Sequence, residues 1–268
     1  MAITSLDLAV AGRQWPRTFA KVATGASSRS TLWALAGNPG AGAYDTTLNG
    51  VVLSGTAANI LGQIPFTDPV SGETKLFRLQ AAATGVAGTL IAADRLWHNG
   101  GINATLTTAQ TIASPTWSAR DATGTTNGVG VLLAVEVSAV TGVGTPTITI
   151  GYTNSAGTAG RTATNVESTT NTAVTGTFYR IGLQAGDIGV RSVQSITLSA
   201  TWTSGTINLV AYTILAQMEL PNVGVSNALD IVTSGAPVMF SGAVPYFMYT
   251  AGSATAASVT GSMVWTQG

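Results

Sequence analysis

The chain has 268 residues, with eleven Lys and Arg against eleven Asp and Glu, and it contains no cysteine. The zero formal net charge gives no support for nucleic-acid binding by electrostatics, and without cysteine there are no disulfides, thiol nucleophiles or cysteine-ligated metals. Charged residues make up 8% of the chain, against roughly 25% in an ordinary globular protein. A surface this poor in charge is typical of a subunit covered by copies of itself or by a larger assembly.

The sequence contains no segment that predicts membrane insertion or export. No run approaches the roughly 18 apolar residues of a membrane span. The start, MAITSLDLAVAG, lacks the basic region and sustained apolar core of a signal peptide. We therefore expect a protein that is made and assembled in the cytoplasm and has no membrane partner.

Residues 1–30 differ from the rest of the chain in charge. They carry four cations against one acid, a net charge of +3, and two aromatic residues lie among the cations. One interpretation is an extended, ordered N-terminal arm that docks on a neighbouring acidic subunit, because Arg and aromatic residues are enriched where proteins meet. The alternative is a first strand of the domain with solvated arginines. The docking residues predicted for the arm are Arg13, Trp15, Arg17 and Phe19.

Residues 31–268 predict a single β-sandwich domain with a possible internal boundary near residue 100. Its first part is irregular, but Phe77, Leu79 and Ala81 occur at every second position, which indicates a strand. Val86–Trp97 is compatible with a strand or a short helical turn, and we favour a strand that enters a loop at His98–Gly101.

After residue 101 the pattern becomes one of short strands joined by turns. The clearest feature is Gly128–Thr164, where alternate apolar residues from Val129 to Val137 and from Ile148 to Tyr152 predict a β-hairpin with one buried face. Eight or more strands with short turns indicate an all-β, antiparallel β-sandwich of jelly-roll type. The other strands are predicted at Thr105–Ala113, Thr116–Ala119, Thr177–Leu183, Gln194–Thr203, Thr206–Leu220, Asp230–Phe240, Val244–Thr250 and Ala257–Trp265.

The sequence offers little for catalysis or metal binding. His98 is the only histidine, and no GxSxG elbow accompanies it, so we interpret it as a loop residue with a local hydrogen bond. Glu136 is the one acid inside the principal strand, and we expect it to pair with an arginine or to lie at a subunit contact. The other acids are scattered in predicted loops, which does not indicate a calcium site. We predict no catalytic, cofactor-binding or metal-binding residues and no cofactor.

The aromatic residues leave a glycan-binding alternative open. Six Trp and six Tyr are enough to line a sugar-binding surface. Trp97, Trp117, Trp202 and Trp265 lie in or beside apolar strands, however, where large aromatic side chains usually belong to the core. A depolymerase would need two carboxylates at catalytic separation in one cleft, which sequence alone does not place.

Three segments of the sequence resemble segments of structural proteins in the virions of tailed bacteriophages. They are DRLWHNGGI (Asp94–Ile102), ARDATGTTNGVGVLLAVEV and TPTITIGYTNSAGTAGRTA, within about residues 90–220. These segments have the sequence pattern of strands joined by turns, and they include no catalytic motif. The resemblance implies a β-rich virion component present in many copies, and it carries over no binding residues.

Together with the low charge and the cationic N-terminus, the resemblance favours a non-enzymatic virion structural protein. The specific hypothesis is a capsid decoration (cement) protein, a homotrimer on the head surface that binds the major capsid protein. A second predicted contact is the neutral, Thr-rich surface around Arg161, which is the only charge between Glu136 and Glu167. The alternatives are a tail, collar or baseplate protein and a receptor- or glycan-binding module. No nucleic acid is expected as a partner.

Overall fold

The computed structural model describes residues 3–22, 24, 27–55, 60–69 and 72–268. Of the predicted arm, residues 1, 2, 23, 25 and 26 lie outside the described residues. The elements are α1 (Leu6–Ala11), β1 (Arg13–Lys21), β2 (Arg29–Thr31), β3 (Gly37–Asn38), β4 (Gly50–Val52), β5 (Thr74–Thr84), β6 (Gly88–Asn103), β7 (Gln110–Thr111), β8 (Leu132–Ala139), β9 (Ile148–Asn154), β10 (Arg161–Asn165), β11 (Phe178–Gly182), β12 (Val190–Leu198), β13 (Thr206–Leu220), β14 (Asn227–Asp230), β15 (Pro245–Ala251) and β16 (Ser258–Gln267).

The predicted all-β fold class is confirmed. The strands pair in an antiparallel manner, as in β1 with β16 and β8 with β13, whereas the jelly-roll connectivity stays a prediction. Helix α1 is a single short turn capped by Ser5, whose Oγ accepts a hydrogen bond from the Leu8 N–H at 3.2 Å. In the described part of the chain, no helix has the length and apolarity to cross a membrane.

The chain forms two compact units. Unit 1 comprises Met1–Ala43, Ser54–Asp94 and Ile214–Gly268, and unit 2 comprises Tyr44–Leu53 and Arg95–Thr213. The chain crosses between the units inside β6 and inside β13, so each of these two long strands contributes residues to both units.

Unit 1 is a β-sandwich. Its first sheet has the order β14–β5–β16–β1–β3, and its second layer includes β15 paired with β2 and with the first part of β6. Both layers contribute to one buried core, in which Phe19 of β1 lies against Phe247 of β15 with ring centroids 4.4 Å apart. The charge pattern left an extended arm and a first strand of the domain as alternatives for residues 1–30. Residues 13–21 form an integral strand that pairs along its whole length with β16, as in the second alternative.

Unit 2 is built on an antiparallel sheet with the strand order β6–β13–β8–β11–β10–β9–β12–β7, and β4 pairs with β6. Its buried core takes Leu133 and Leu209 from β8 and β13, and Ile150 and Ile196 from β9 and β12. Strands that are distant in the sheet order thus share one core, so the sheet curves around it.

The predicted hairpin at Gly128–Thr164 is wrong, although its buried face is right. Val131, Val135 and Val137 are buried as expected, but β8 pairs with β11 and β13 rather than with β9. β9 instead forms a hairpin with β10 and pairs with β12 on its other side. Alternation of apolar residues determines which face of a strand is buried, and it does not determine which strand lies beside it.

Several local predictions also need correction. The strand predicted at Val86–Trp97 exists, but β6 continues to Asn103, so His98–Gly101 is part of a strand and not a loop. The strand predicted at Asp230–Phe240 is replaced by β14, which ends at Asp230. There the carboxylate of Asp230 accepts the Val232 and Thr233 N–H groups and starts a turn. Within Thr105–Ala113 the structure forms only the short β7.

Candidate docking surface on strand β1

The structure brings three of the predicted docking residues together on one face of β1. Period-two geometry places Arg13, Trp15 and Arg17 on the same side of the strand. The Arg13 guanidinium carbon lies 4.0 Å from the centroid of the Trp15 ring, and that of Arg17 lies 5.6 Å away. We call this arrangement of Arg13, Trp15 and Arg17 the β1 stack. Both distances are within the range of a cation–π interaction.

The β1 stack is held by hydrogen bonds and packing from unit 1. Trp15 Nε1 donates to Gln267 Oε1 at 2.8 Å, and Trp15 is paired with Trp265 across the β1–β16 ladder. The Trp15 ring also packs against the unit 1 core while remaining half-exposed. The ring is therefore fixed in position before any partner arrives, which lowers the entropy cost of binding.

The two arginines of the stack carry charge that the described residues do not neutralise. Neither guanidinium forms an ion pair within the described chain, and Arg17 donates instead to the Pro16 carbonyl at 3.1 Å. Arg180, by contrast, is paired with Glu167. Two adjacent positive charges on an aromatic ring form a surface that is complementary to carboxylates.

The outer edge of β1 is poorly suited to pairing with another strand. β3 covers only Ala20 and Lys21, and the Asn38 side-chain amide donates to the Thr18 carbonyl at 3.1 Å. Pro16 lies in the middle of the remaining edge and has no N–H to donate, a common device against edge-to-edge association. A partner at this position is expected to bind the side chains of the stack and not the backbone.

The assignment of Phe19 as a docking residue must be corrected. Its side chain is 2% exposed and belongs to the unit 1 core. The face shared by alternate β1 residues becomes progressively more buried along the strand, from exposed Arg13 to buried Phe19 and Lys21. Phe19 stabilises the fold and is not available to a partner.

Arg161 lies in unit 2 and takes part in an internal network. Its Nε and Nη2 donate to the two carboxylate oxygens of Asp187 at 2.9 and 3.0 Å. The same carboxylate accepts hydrogen bonds from Asn154 Nδ2 and from the Tyr152 hydroxyl, which in turn accepts the Gln184 N–H. The hydrogen bonds from Arg161 and then Tyr152 lower the pKa of Asp187 to about 2. This network ties the loop before β12 to the β9–β10 hairpin.

Lys21 is a buried cation that no pattern in the sequence singled out. Its Nζ donates to the carbonyl oxygens of Leu35, Pro39 and Gly40 at 3.1, 2.7 and 3.4 Å. Burial lowers the pKa of Lys21 to about 8. Lysine acts here as an internal cap for the loop around Pro39.

Glu136 is paired with an arginine, as expected. Its two carboxylate oxygens accept hydrogen bonds from the two Nη atoms of Arg95, both at 2.8 Å, in a fully buried, bidentate ion pair in unit 2. His98 lies beside this pair, with its Nδ1 3.4 Å from Arg95. Burial, and secondarily the Arg95 charge, lowers the pKa of His98 to about 3, so the ring is neutral at physiological pH.

Asp121 organises a loop of unit 2. Its Oδ1 accepts hydrogen bonds from Thr123 and Thr125, and its Oδ2 accepts the N–H groups of Gly128 and Val129 at 2.9 and 3.0 Å. Burial raises the pKa of Asp121, but the hydrogen bonds from Thr125 and Thr123 outweigh it and lower the pKa to about 2. Within the described residues, no group of three or more His, Asp or Glu side chains is placed to hold a metal ion.

Most large aromatic side chains are in the cores. Trp97, Trp117 and Trp202 belong to the unit 2 core and Trp265 to the unit 1 core, as predicted. Trp33 is buried as well. Trp15 is consequently the one tryptophan of the described residues that reaches the surface, and that part of the chain offers no cluster of exposed tryptophans on which sugar rings stack.

Comparison with known proteins does not assign a family. No family model and no curated protein matches the chain. Among solved structures, the VP2 subviral particle of infectious bursal disease virus is 8% identical over 96% of this chain and 80% of the VP2 chain, with a TM-score of 0.22. A mutant VP2 from T=1 particles of the same virus is 10% identical over 96% and 78%, with a TM-score of 0.19. Likeness at this level carries no argument about function.

Proposed function

We propose that this protein is a non-enzymatic structural component of a tailed-phage virion, most specifically a decoration protein that binds the outer surface of the head. The observation that carries the proposal is the β1 stack, a preorganised pair of unneutralised arginines on a half-buried tryptophan. Arg and Trp are the residue types most enriched at binding hot spots. The resemblance of the segments in residues 90–220 to virion structural proteins supports the same class.

The partner of the β1 stack is proposed to be an acidic surface of the major capsid protein. The two guanidinium groups attract carboxylates, and the Trp15 ring supplies apolar area that is already desolvated on one side. A ligand that binds only the assembled shell stabilises it by mass action. The decoration protein would act in this way, through binding alone.

Self-association is proposed on a neutral surface of unit 2 formed by the segments before β9 and after β10, at the opposite end of β10 from Arg161. Val140, Val143 and Val166 are exposed there, and Gly144 N–H donates to the Asn171 side chain at 2.8 Å, which joins the 143–147 and 165–171 segments into one surface. Exposed apolar side chains on a surface with little charge are typical of subunit contacts. We propose a homotrimer as the assembled form.

Electron microscopy of intact particles of the virus that encodes the chain tests the proposal. The expected result is density for both units on the outside of the head, in copies related by local threefold symmetry. Density in the tail, collar or baseplate would overturn the decoration role and retain a virion role. Absence of the chain from purified particles would overturn both.

Point substitutions are better suited to this surface than removal of the N-terminus. Deleting residues 1–25 removes β1, and with it Phe19 from the core and Lys21 from its carbonyl partners. Loss of binding in such a deletion would report unfolding of unit 1. Substitution of Arg13 and Arg17 removes the charges and leaves the strand in place.

A further inference from the structure

A second surface feature, independent of the proposed virion role, lies in unit 2. A pocket of about 360 Å³ opens beside the start of β12, within the size range of small-molecule sites. Its polar lining consists of Arg191 together with Ser114, Thr116, Thr126, Asn127 and Ser192. We call it the Arg191 pocket.

Arg191 is fixed in the pocket by neutral oxygens. Its Nη2 donates to Asn127 Oδ1 at 2.7 Å and to the Ser155 carbonyl at 3.1 Å. Its Nη1 makes no hydrogen bond within the described chain. A Cβ atom at Gly157 would lie 3.3 Å from Nη1, so a side chain at this position would crowd the guanidinium. The guanidinium is therefore held through Nη2, and the two hydrogens of Nη1 have no acceptor within the described chain.

Arg191 differs from the other surface arginines of unit 2 in its charge balance. Arg161 is paired with Asp187, and Arg180 is paired with Glu167. Within the described residues no carboxylate forms an ion pair with Arg191. The pocket thus carries one uncompensated positive charge on an otherwise sparsely charged unit, which favours an anionic ligand.

The hydroxyl groups of the pocket have hydrogens to donate. Ser114 Oγ accepts the Val193 N–H at 3.0 Å, and Ser192 Oγ accepts from the Gln194 amide at 2.9 Å. Each serine hydroxyl hydrogen has no acceptor within the described chain. The lining suits a ligand that carries hydroxyl groups in addition to its negative charge.

The loop that forms one wall is held in place before binding. Asp121 accepts the backbone N–H groups of Gly128 and Val129, directly after Asn127. Asn127 N–H donates to Thr125 Oγ1 at 3.2 Å, and Thr125 is itself bonded to Asp121. Asn127 is therefore a positioning residue for Arg191, and little ordering remains to be paid on binding.

We propose that the Arg191 pocket binds an acidic saccharide unit, with the sugar carboxylate on Nη1 of Arg191 and the sugar hydroxyls on the serine and threonine hydroxyls. Recognition is by charge and hydrogen bonds, so it does not need the stacking platform that the buried tryptophans fail to provide. The free sugar and a residue of an anionic polysaccharide share this chemistry.

Chemical-shift titration of the full chain tests the proposal, with glucuronate as the probe and glucose and inorganic phosphate as comparisons. Glucuronate is expected to give saturable shifts at Asn127 and Ser192, and glucose none at the same concentration. Arg191→Gln should weaken glucuronate binding at least tenfold. Arg78→Gln is the matched control, because it removes an exposed arginine that donates to Gln80 and not to an acid.

Two further arms separate the possible outcomes. Thr126→Leu keeps Arg191 but removes a hydroxyl and narrows the pocket, so it should weaken glucuronate and leave phosphate unchanged. A hexuronate oligosaccharide that binds more tightly than the monosaccharide would identify a polymer as the source. Phosphate binding as tight as glucuronate would reduce the site to an anion site and overturn the saccharide assignment. Absence of saturable shifts with every probe would overturn the site itself.

Discussion

The guanidinium of Arg13 lies over the ring of Trp15 at 4.0 Å. Both residues belong to β1, one edge of which is paired along its whole length with β16. The cation is thus placed by the ring, and the ring is placed by the sheet and by its hydrogen bond to Gln267. A cation–π contact of this kind contributes about 0.5–1 kcal/mol at an exposed site and about 2 kcal/mol when desolvated. A partner that covers the stack would therefore strengthen it.

Removing both charges of the β1 stack should weaken docking without affecting the fold. We expect Arg13→Gln with Arg17→Gln to lower the affinity for purified heads by about tenfold for each arginine, in line with hot-spot losses above 1 kcal/mol. Co-sedimentation with heads that lack the protein measures this. The thermal midpoint should stay within a few degrees, since exposed substitutions usually change stability by about 0.5 kcal/mol or less.

Arg78→Gln is the control for this experiment. It removes one exposed cation from the same unit, where Arg78 donates to Gln80 Oε1 at 2.7 Å. Binding should be retained and should weaken with salt as in the unmodified protein. Equal loss in the control and in the stack variant would show that general charge attraction, and not the stack, binds the partner.

Charge placed on the neutral surface of unit 2 should prevent self-association. Val143→Asp with Val166→Asp introduces two carboxylates where the exposed valines lie, and desolvating them in a contact is costly. Analytical ultracentrifugation should then show a monomer in place of the trimer. Val232→Asp, at an equally exposed valine of unit 1, should leave the trimer intact, and dissociation in that variant would contradict the assigned surface.

Breaking the buried ion pair of unit 2 should be strongly destabilising. Glu136→Gln leaves Arg95 charged, fully buried and without its bidentate partner, and such changes cost about 3–5 kcal/mol. Chemical denaturation measures the loss. Replacing both residues with apolar ones, Arg95→Met with Glu136→Leu, should recover most of it, because the uncompensated charge is then gone. A double variant as unstable as Glu136→Gln would mean that the loss of stability does not come from the unpaired charge of Arg95.

Period-two patterns in the sequence predicted the buried faces of the strands well, because burial on one side of a strand is a local property. The valines of β8 are buried as expected, and β12 presents Ile196 and Leu198 to the core. Irregularities were not predictable. In β5 a shift of register opposite Val264 and Trp265 puts both Leu76 and Leu79 in the core. Such a bulge depends on the partner strand and leaves no mark in the strand's own sequence.

The candidate docking surface could be predicted only in part, because it too depends on a strand that is distant in the sequence. Spacing alone places Arg13, Trp15, Arg17 and Phe19 on one face, and three of them do form a surface. The point at which that face passes under the second layer is set by β15, more than 200 residues later in the chain. Likewise, the position of Glu136 inside a strand predicted that it has an arginine partner. It did not predict which arginine, because Arg95 is 41 residues away in sequence.

Removing the Asp187 carboxylate should loosen the loop before β12. Asp187→Asn takes away the charged partner of Arg161 and an acceptor for Tyr152. We expect the Gln184 amide, which donates to the Tyr152 hydroxyl at 3.0 Å, to exchange its hydrogen several-fold faster. Amide exchange followed by NMR measures this. Asp230→Asn, in a turn of unit 1, should leave Gln184 unchanged.

Lys21 should give the protein a stability that rises with pH on the alkaline side. Its pKa is about 8 in the folded protein against 10.5 for an exposed lysine, because burial disfavours the ammonium. Between these two values the unfolded chain binds more protons than the folded one, so the free energy of unfolding increases with pH. The gain in the free energy of unfolding from Lys21 is complete above pH 10.5, and it is lost as the pH falls through 8.

Comparison with Lys21→Met isolates this effect from the other titrating groups. The variant loses the three hydrogen bonds to the Leu35, Pro39 and Gly40 carbonyls and is expected to be less stable at every pH. The informative quantity is the difference between the two free energies of unfolding, measured by urea denaturation from pH 7 to pH 11. That difference should be flat below pH 8 and should grow between pH 8 and 10.5. A difference that stays constant over the whole range would mean that the folded protein accommodates the Lys21 ammonium as well as water does, with the three carbonyls fully offsetting the cost of its burial.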